Sequence, residues 1–467
     1  METIIDDPLK FLGIVALRKG KAMKFNRALS AVAAVSALGM MLAGCGAGGE
    51  AKTEALDENA KTTITFAGWS LDSTPEFKTL ADAFMAEHKN ITVELKEYSA
   101  DDYDTQLVGD ISGGSQPDVF PIKNLQKYKT YAESEGLADL SDLAAEYDGD
   151  ENIDVSNYEL DGKYFAMPYR QDSWVLFYNK DMFEKAGVAA PDGTWTWDDY
   201  TKAAEELKEK LPAAGYDANS VYPTYQHNWQ SVVQGFALAQ TGFDTENTFF
   251  KGDFDYLKSY YERALKWQDE GLTIDWNTSN STKVQYQAQF GTQKAAMLPM
   301  GTWFAATLVS QQASGDAEDF QWGMAPIPQN PDEKASDKPV TFGDPTGLAV
   351  SSKIDGQKLA AAKEFVKWCS GEGGSKALAA IATTPAYFSD AVTDAYFSVD
   401  GMANDDLTKQ AWQEHDTKPE NPVGEGSDTI ISLLKDAHSS IMTKTSSIDD
   451  ALAAAKQNAI DQGAIIE

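Results

Sequence analysis

The chain has 467 residues, 39 basic and 72 acidic, for a formal net charge of −33. That sign argues against nucleic acid, which rewards basic patches through counterion release; it fits a cationic ligand such as a polyamine, or simply a solvated, self-repelling surface. A hydrophobic content of 42% with 11% aromatics supports two or three domains or one large two-lobed unit, while two cysteines and four scattered histidines offer neither a disulfide framework nor metal-ligand spacing.

Lys24 and Arg27 precede an apolar run, Ala28 to Met41, which closes with Leu42-Ala43-Gly44-Cys45. This is the layout of a secretory signal with a small-residue cleavage site, so residues 23–44 are expected to be a signal peptide. The run of about fourteen residues is shorter than the roughly 20 that a membrane-crossing helix needs. Asp6 and Asp7 stand where a signal should be basic, so residues 1–22 are read as lying upstream of the true start at Met23. Leu-Ala-Gly-Cys resembles a bacterial lipobox. The resemblance implies that Cys45 carries lipid, and stable anchoring by more than one acyl chain, palmitate included, makes physical sense. Residues 45–61 are small, polar and patternless, a flexible tether.

Beyond the tether, Lys61 to Trp69 alternates apolar and polar residues as a strand does. Thr74-Pro75-Glu76 starts a helix with Phe77, Leu80, Ala81 and Phe84 at helical spacing. Ile91 to Leu95 is a second strand, Tyr103 to Ile111 a helix closed by Ser112-Gly113-Gly114, and Asp118-Val119-Phe120 a short buried strand. This order predicts an open α/β sheet whose ligands sit beyond the carboxyl ends of the strands, here Trp69 to Asp72 and Pro121 to Asn124. Lys163 to Glu184 then places Arg170-Gln171-Asp172 between two strand-like aromatic runs, the pattern of a chain leaving one folded unit for another. Thr196 and Asp199 predict a helix cap. Helical patterns continue to Leu211, from Gln230 to Gln240 and from Tyr256 to Gln268. A strand is expected from Phe290 to Pro299 leading into Gly301-Thr302-Trp303, with further strands at Trp322 to Pro328 and Leu348 to Val350 and a helix over Leu359 to Cys369.

Five segments carry a family resemblance: Ser115 to Phe120, Leu176-Phe177-Tyr178-Asn179-Lys180-Asp181-Met182-Phe183, Thr194 to Asp199, Ala295 to Trp303, and Gly347 to Val350 with Ala361 to Val366. Together they resemble the extracellular solute-binding proteins of bacterial ABC importers, in the carbohydrate branch that includes maltose-binding protein. The resemblance implies an α/β, two-lobed periplasmic-binding-protein-like fold with a hinge and an interlobe ligand cleft. Lobe 1 would be 62–171 plus 347–405, and lobe 2 172–346 plus 406–467. It further implies a monomer without cofactor or catalysis, anchored by lipid on the extracytoplasmic face of the cell membrane, which passes an oligosaccharide to the transmembrane subunits of an ABC permease.

Sugars offer apolar faces and rims of hydroxyls, so their sites pair aromatic platforms with carboxylates and amides. On that chemistry and the resemblance, the expected ligand residues are Trp69, Asp72, Lys123, Asn124, Asp172, His227, Trp229, Trp303 and Asp344. The alternatives are ordinary ones: a hinge ion pair with Arg170 for Asp172, core packing for Trp303, a structural ring for His227 and a turn carboxylate for Asp344. Pro422 to Thr429 lacks the aromatic that maltose-binding protein carries in the matching region, which counts against maltodextrin. A secreted glycoside-active enzyme would suit the same aromatics and carboxylates. A binder of peptides or polyamines would suit the acidic charge, and a purely structural surface role is a third alternative.

Overall fold

A computed structural model describes residues 55–71, 75–100, 102–331 and 338–465. The signal segment, Cys45 and Asp72 lie outside the described residues. The strands, in chain order, are β1 (Thr62–Trp69), β2 (Ile91–Tyr98), β3 (Val119–Ile122), a short hairpin of β4 (Glu159–Leu160) and β5 (Lys163–Tyr164), β6 (Ala166–Gln171), β7 (Trp174–Asn179), β8 (Tyr222–Thr224), β9 (Ala295–Gly301), β10 (Trp322–Ala325), β11 (Val340–Phe342), β12 (Pro345–Val350) and β13 (Asp416–Lys418). Two larger sheets result, ordered β2-β1-β3-β12-β6 and β10-β7-β9-β8.

In the first sheet β1 runs parallel to β2 and β3, as the β-α-β-α-β order requires, while β12 returns antiparallel between β3 and β6. Alternation along β1 buries Ile64 and Phe66 under the helix Glu76–Glu87, whose Phe77, Leu80 and Phe84 close the same core together with Phe365. The second sheet is built around β7, a strand buried along its whole length. Its core gathers Trp174, Phe177, Trp197, Phe236 and Phe304.

Local chemistry sets several boundaries where the sequence predicts them. Asn179 accepts from the Met182 amide (2.9 Å) to start the helix Lys180–Ala186. Thr196 and Asp199 form a reciprocal capping box on Trp197–Lys210. Gly114, at φ 67°, ends Tyr103–Gly113 in the left-handed region. One boundary differs: Phe290 lies in the helix Tyr286–Gly291, and the strand begins only at Ala295, after a turn that holds Gln293 at φ 51°. The helix Trp303–Ser314 has no counterpart among the sequence-based expectations.

The chain passes between the sheets first at Asp172-Ser173, between β6 and β7, and again at Gly343-Asp344, between β11 and β12. These two crossings are in contact: a Cβ on Gly343 would lie 2.0 Å from the Asp172 carbonyl oxygen, an approach only glycine permits. A third pass runs beside them, where the Ala386 amide donates to the Tyr169 carbonyl (3.0 Å) and Pro385 bridges Arg170. Val392, Tyr396 and Phe397 of the helix Asp390–Phe397 belong to the second core, so the chain has returned to that side before residue 406, earlier than the sequence suggests. Helices Ser427–Met442 and Ile448–Asp461 complete the second unit through Ile430, Leu434, Leu452 and Ala459.

Candidate functional site

The first crossing carries a buried charge centre. Arg170 points one terminal nitrogen at Glu76, the first residue of its helix, and the other at Asp172. Tyr169 donates to the same Glu76 carboxylate (3.2 Å), and Thr302 donates to the remaining Asp172 oxygen (3.0 Å). Two carboxylates thus share one guanidinium in a largely buried site. Burial pushes the Glu76 carboxyl above its ordinary range even though Arg170 pulls it down. Asp172 is therefore both a hinge ion pair and a residue at the seam. Glu76 and Thr302, which supply half of this cluster, were not singled out in the sequence. The only signal for Glu76 was a helix start at the carboxyl end of a strand.

Next to the charge centre stands an aromatic wall on the second sheet. Trp174, at the start of β7, packs edge-on against Trp303 (5.6 Å between ring centroids) and Trp229 (6.4 Å). Trp229 also meets His227 (4.4 Å) and Tyr286 (5.9 Å), and Trp303 donates its indole N–H to the Tyr286 hydroxyl (3.2 Å). Trp303 follows directly on β9, where Gly301 makes room for it: a Cβ there would fall 1.9 Å from the ring. Trp229 is 41% exposed, one of three large hydrophobic side chains that are exposed among the described residues. His227 is buried, shares a hydrogen bond between Nδ1 and the Tyr225 hydroxyl (3.0 Å), and burial holds its pKa down to about 4, so it is a neutral ring at physiological pH. Two buried donors on this wall and its neighbour, Trp174 Nε1 and Arg170 Nε, have no hydrogen-bond partner among the described residues.

The remaining expected residues divide. Trp69 ends β1, half-buried between Phe77 (4.8 Å) and Tyr103 (5.2 Å), with Lys123 Nζ 5.0 Å from its ring centroid. Lys123 also donates to the Ala100 carbonyl, and Asn124 donates to Asp104, so both are engaged within the first unit. Asp344 stands apart. Its Oδ1 accepts the amides of Glu420 (2.7 Å) and Asn421 (3.3 Å), and Oδ2 accepts the Asn421 side chain (2.6 Å). Burial raises the Asp344 pKa; burial and the Asp344 charge raise that of Glu420. The structure thus gathers Asp172, His227, Trp229 and Trp303 into one cluster, places Trp69, Lys123 and Asn124 at the strand ends of the first sheet, and ties Asp344 to backbone. Trp195 and Trp197 pack into the second unit, Trp197 through an N–H donated to Gln240 (2.8 Å).

Two cavities lie between the units. One of ≈ 370 Å³ is bounded by Pro75, Glu76 and Arg170 on one side and by Trp303, Thr307, Ser310 and Gln311 on the other. The second, of ≈ 450 Å³, separates Gln126 to Glu133 from Gly424 to Thr429, where Lys127 and Asp428 form an ion pair across the gap (2.6 Å). A third, of ≈ 660 Å³, touches all three passes at Gln171, Gly343 and Ala386. Among the described residues there is no group of three or more histidine, cysteine or acidic side chains placed to hold a metal, and no helix long and apolar enough to cross a membrane.

Residues 68–376 match the family model of bacterial extracellular solute-binding proteins. A crystal structure of a sugar transporter from Rhizobium etli, in an open conformation, is 31% identical, with a TM-score of 0.75 over 85% of this chain and 98% of its own. The melibiose/raffinose/stachyose-binding protein MelE of Bacillus subtilis (strain 168) is 24% identical over 370 residues, 77% of this chain and 81% of its own length. An ABC substrate-binding protein of Listeria monocytogenes, solved in complex with cycloalternan, shares the fold at 23% identity and a TM-score of 0.68, over 87% of this chain and 100% of its own.

Proposed function

This chain belongs to the family of bacterial extracellular solute-binding proteins, and from that premise we propose that it captures a neutral sugar, an oligosaccharide, for an ABC importer. The observation that carries the reading is the pairing of the exposed Trp229 and the Trp303 ring with the charge centre of Glu76, Arg170 and Asp172 at the seam between two sheets. Aromatic faces take the apolar side of a pyranose, and carboxylates take its hydroxyls. The arginine already offsets much of the carboxylate charge, which suits an uncharged ligand better than a polyamine. The names of MelE and of the Listeria complex agree in kind. Binding without turnover follows from the same reading.

A thermal-shift screen tests it, because a ligand that binds only the folded state raises apparent stability by mass action. Melibiose, raffinose, stachyose and maltooligosaccharides are expected to include at least one that raises the melting midpoint, with little dependence on salt. A shift with peptides or spermidine alone, weakening steeply with salt, would assign a cationic ligand instead. Release of monosaccharide would make the protein a glycoside-active enzyme.

We further propose that the chain acts as a monomer held by lipid on Cys45 at the extracytoplasmic face, supported by Leu42-Ala43-Gly44-Cys45. Mass spectrometry of protein expressed in a bacterial host checks the anchor. A diacylated Cys45 is expected in the wild type and none in Cys45→Ser.

A further inference from the structure

Tyr286 stands behind the aromatic wall and joins its two tryptophans. It opens the helix Tyr286–Gly291, where Tyr286, Gln289 and Phe290 are buried at the three- and four-residue spacings that turn one helix face inward. The ring is only 7% exposed and is held edge-on by Phe304 (5.3 Å), His227 (5.3 Å) and Trp229 (5.9 Å). Its hydroxyl accepts the indole N–H of Trp303 (3.2 Å). One buried phenol thus meets Trp229 through its ring and Trp303 through its oxygen.

The hydrogen bond supplies something that packing around Trp303 does not. Trp303 is half-buried, with Trp174 edge-on beside it (5.6 Å) and Gly301, which has no side chain, against its six-membered ring. Dispersion contacts of this kind are weak singly and carry no direction, whereas an N–H donated from the indole edge weakens as the ring turns. The planes of Trp303 and Trp229 stand at 46°, with centroids 6.5 Å apart, an angle that a sugar lying across both must meet. A platform already held at that angle loses less side-chain freedom on binding.

We propose that Tyr286 is a positioning residue for the sugar site, its hydroxyl holding the Trp303 indole at a fixed angle to Trp229 before a ligand arrives. The proposal rests on the sugar-binding reading above. Tyr286 acts through Trp303 and needs no contact with the sugar.

Calorimetry on the full chain tests this with whichever of melibiose, raffinose, stachyose and the maltooligosaccharides binds the wild type best. Tyr286→Phe removes one oxygen and keeps the ring. It is expected to weaken binding about three- to tenfold, the range that ordering one bulky side chain implies. In a Trp303→Phe background, which has no indole N–H to hold, the same change is expected to cost less than about twofold. The indole N–H resonance of Trp303, assigned by its absence from Trp303→Phe, is expected to move in ligand-free Tyr286→Phe further than that of any other of the 11 tryptophans. Equal losses in the two backgrounds, or a lowered melting midpoint with unchanged affinity, overturn the positioning role and leave the sugar reading intact. Where Trp303→Phe binds too weakly to titrate, the resonance decides, and an unmoved one overturns the proposal. A wild type that binds none of these sugars removes the reading on which the proposal rests.

Discussion

The two crossings between the sheets carry the same residue type and use it in opposite ways. Asp172, at the first, is held by a side-chain cation and a hydroxyl beside the aromatic wall. Asp344, at the second, is wrapped by two backbone amides and the Asn421 side chain, with the Glu420 carboxylate close by. A carboxylate met by side chains can exchange partners when a ligand arrives. One saturated by backbone fixes a loop, and moving it would strand buried amides. In the sugar-binding reading proposed above, the first crossing meets the ligand and the second holds its loop. The two crossings touch at Gly343.

The sharpest way to break this contrast is Arg170→Ala. It leaves Glu76 and Asp172 buried without their cation, and the expected loss of folding stability is roughly 3–5 kcal/mol, measured by urea unfolding at pH 7. Because burial raises the Glu76 pKa, part of the loss should be recovered as pH is lowered and that carboxyl takes up a proton. A loss that does not change with pH would mean the cluster is held by packing alone.

Trp303→Ala is expected to weaken binding of the best sugar by roughly 1–3 kcal/mol, by analogy with lost aromatic contacts. An unchanged affinity with a lowered melting point would make Trp303 core rather than platform.

Asp172→Asn should weaken sugar binding several-fold, whereas Asp344→Asn should leave affinity unchanged within error in the same titration. Equal effects would erase the distinction between the crossings.

The smallest effect concerns Glu420. Its pKa and that of Asp344 are raised in the folded protein, so the folded state binds protons more tightly than the unfolded chain. Their contribution to stability is fully present below the ordinary carboxylate range and is lost as pH rises through the raised values. Glu420→Gln should therefore flatten the fall in melting midpoint from neutral to mildly alkaline pH, with little change under acid conditions.

Much of the fold was legible because it rests on local rules. Alternation marked β1 and β2, the capping box at Thr196 fixed a helix start, and Arg170-Gln171-Asp172 between two buried runs marked the first crossing. The short strands β8 and β13 and the helix Trp303–Ser314 were not legible. Three residues carry no periodicity, and the helix has a weak apolar stripe because one of its faces lines a cavity.

The sequence by itself determined the strand and helix order of the first sheet, the capped helix start at Thr196 and the place of the Arg170-Gln171-Asp172 segment, because these follow from spacing, period and turn chemistry within a few residues of one another; the family was legible as a resemblance carried by five segments. Only the tertiary structure decided which carboxylate meets the seam and which braces a loop. It alone brought Glu76 to Arg170 across 94 positions of chain. The reason is physical. The fate of a buried charge depends on the partners that packing supplies from distant segments, and no local pattern encodes them.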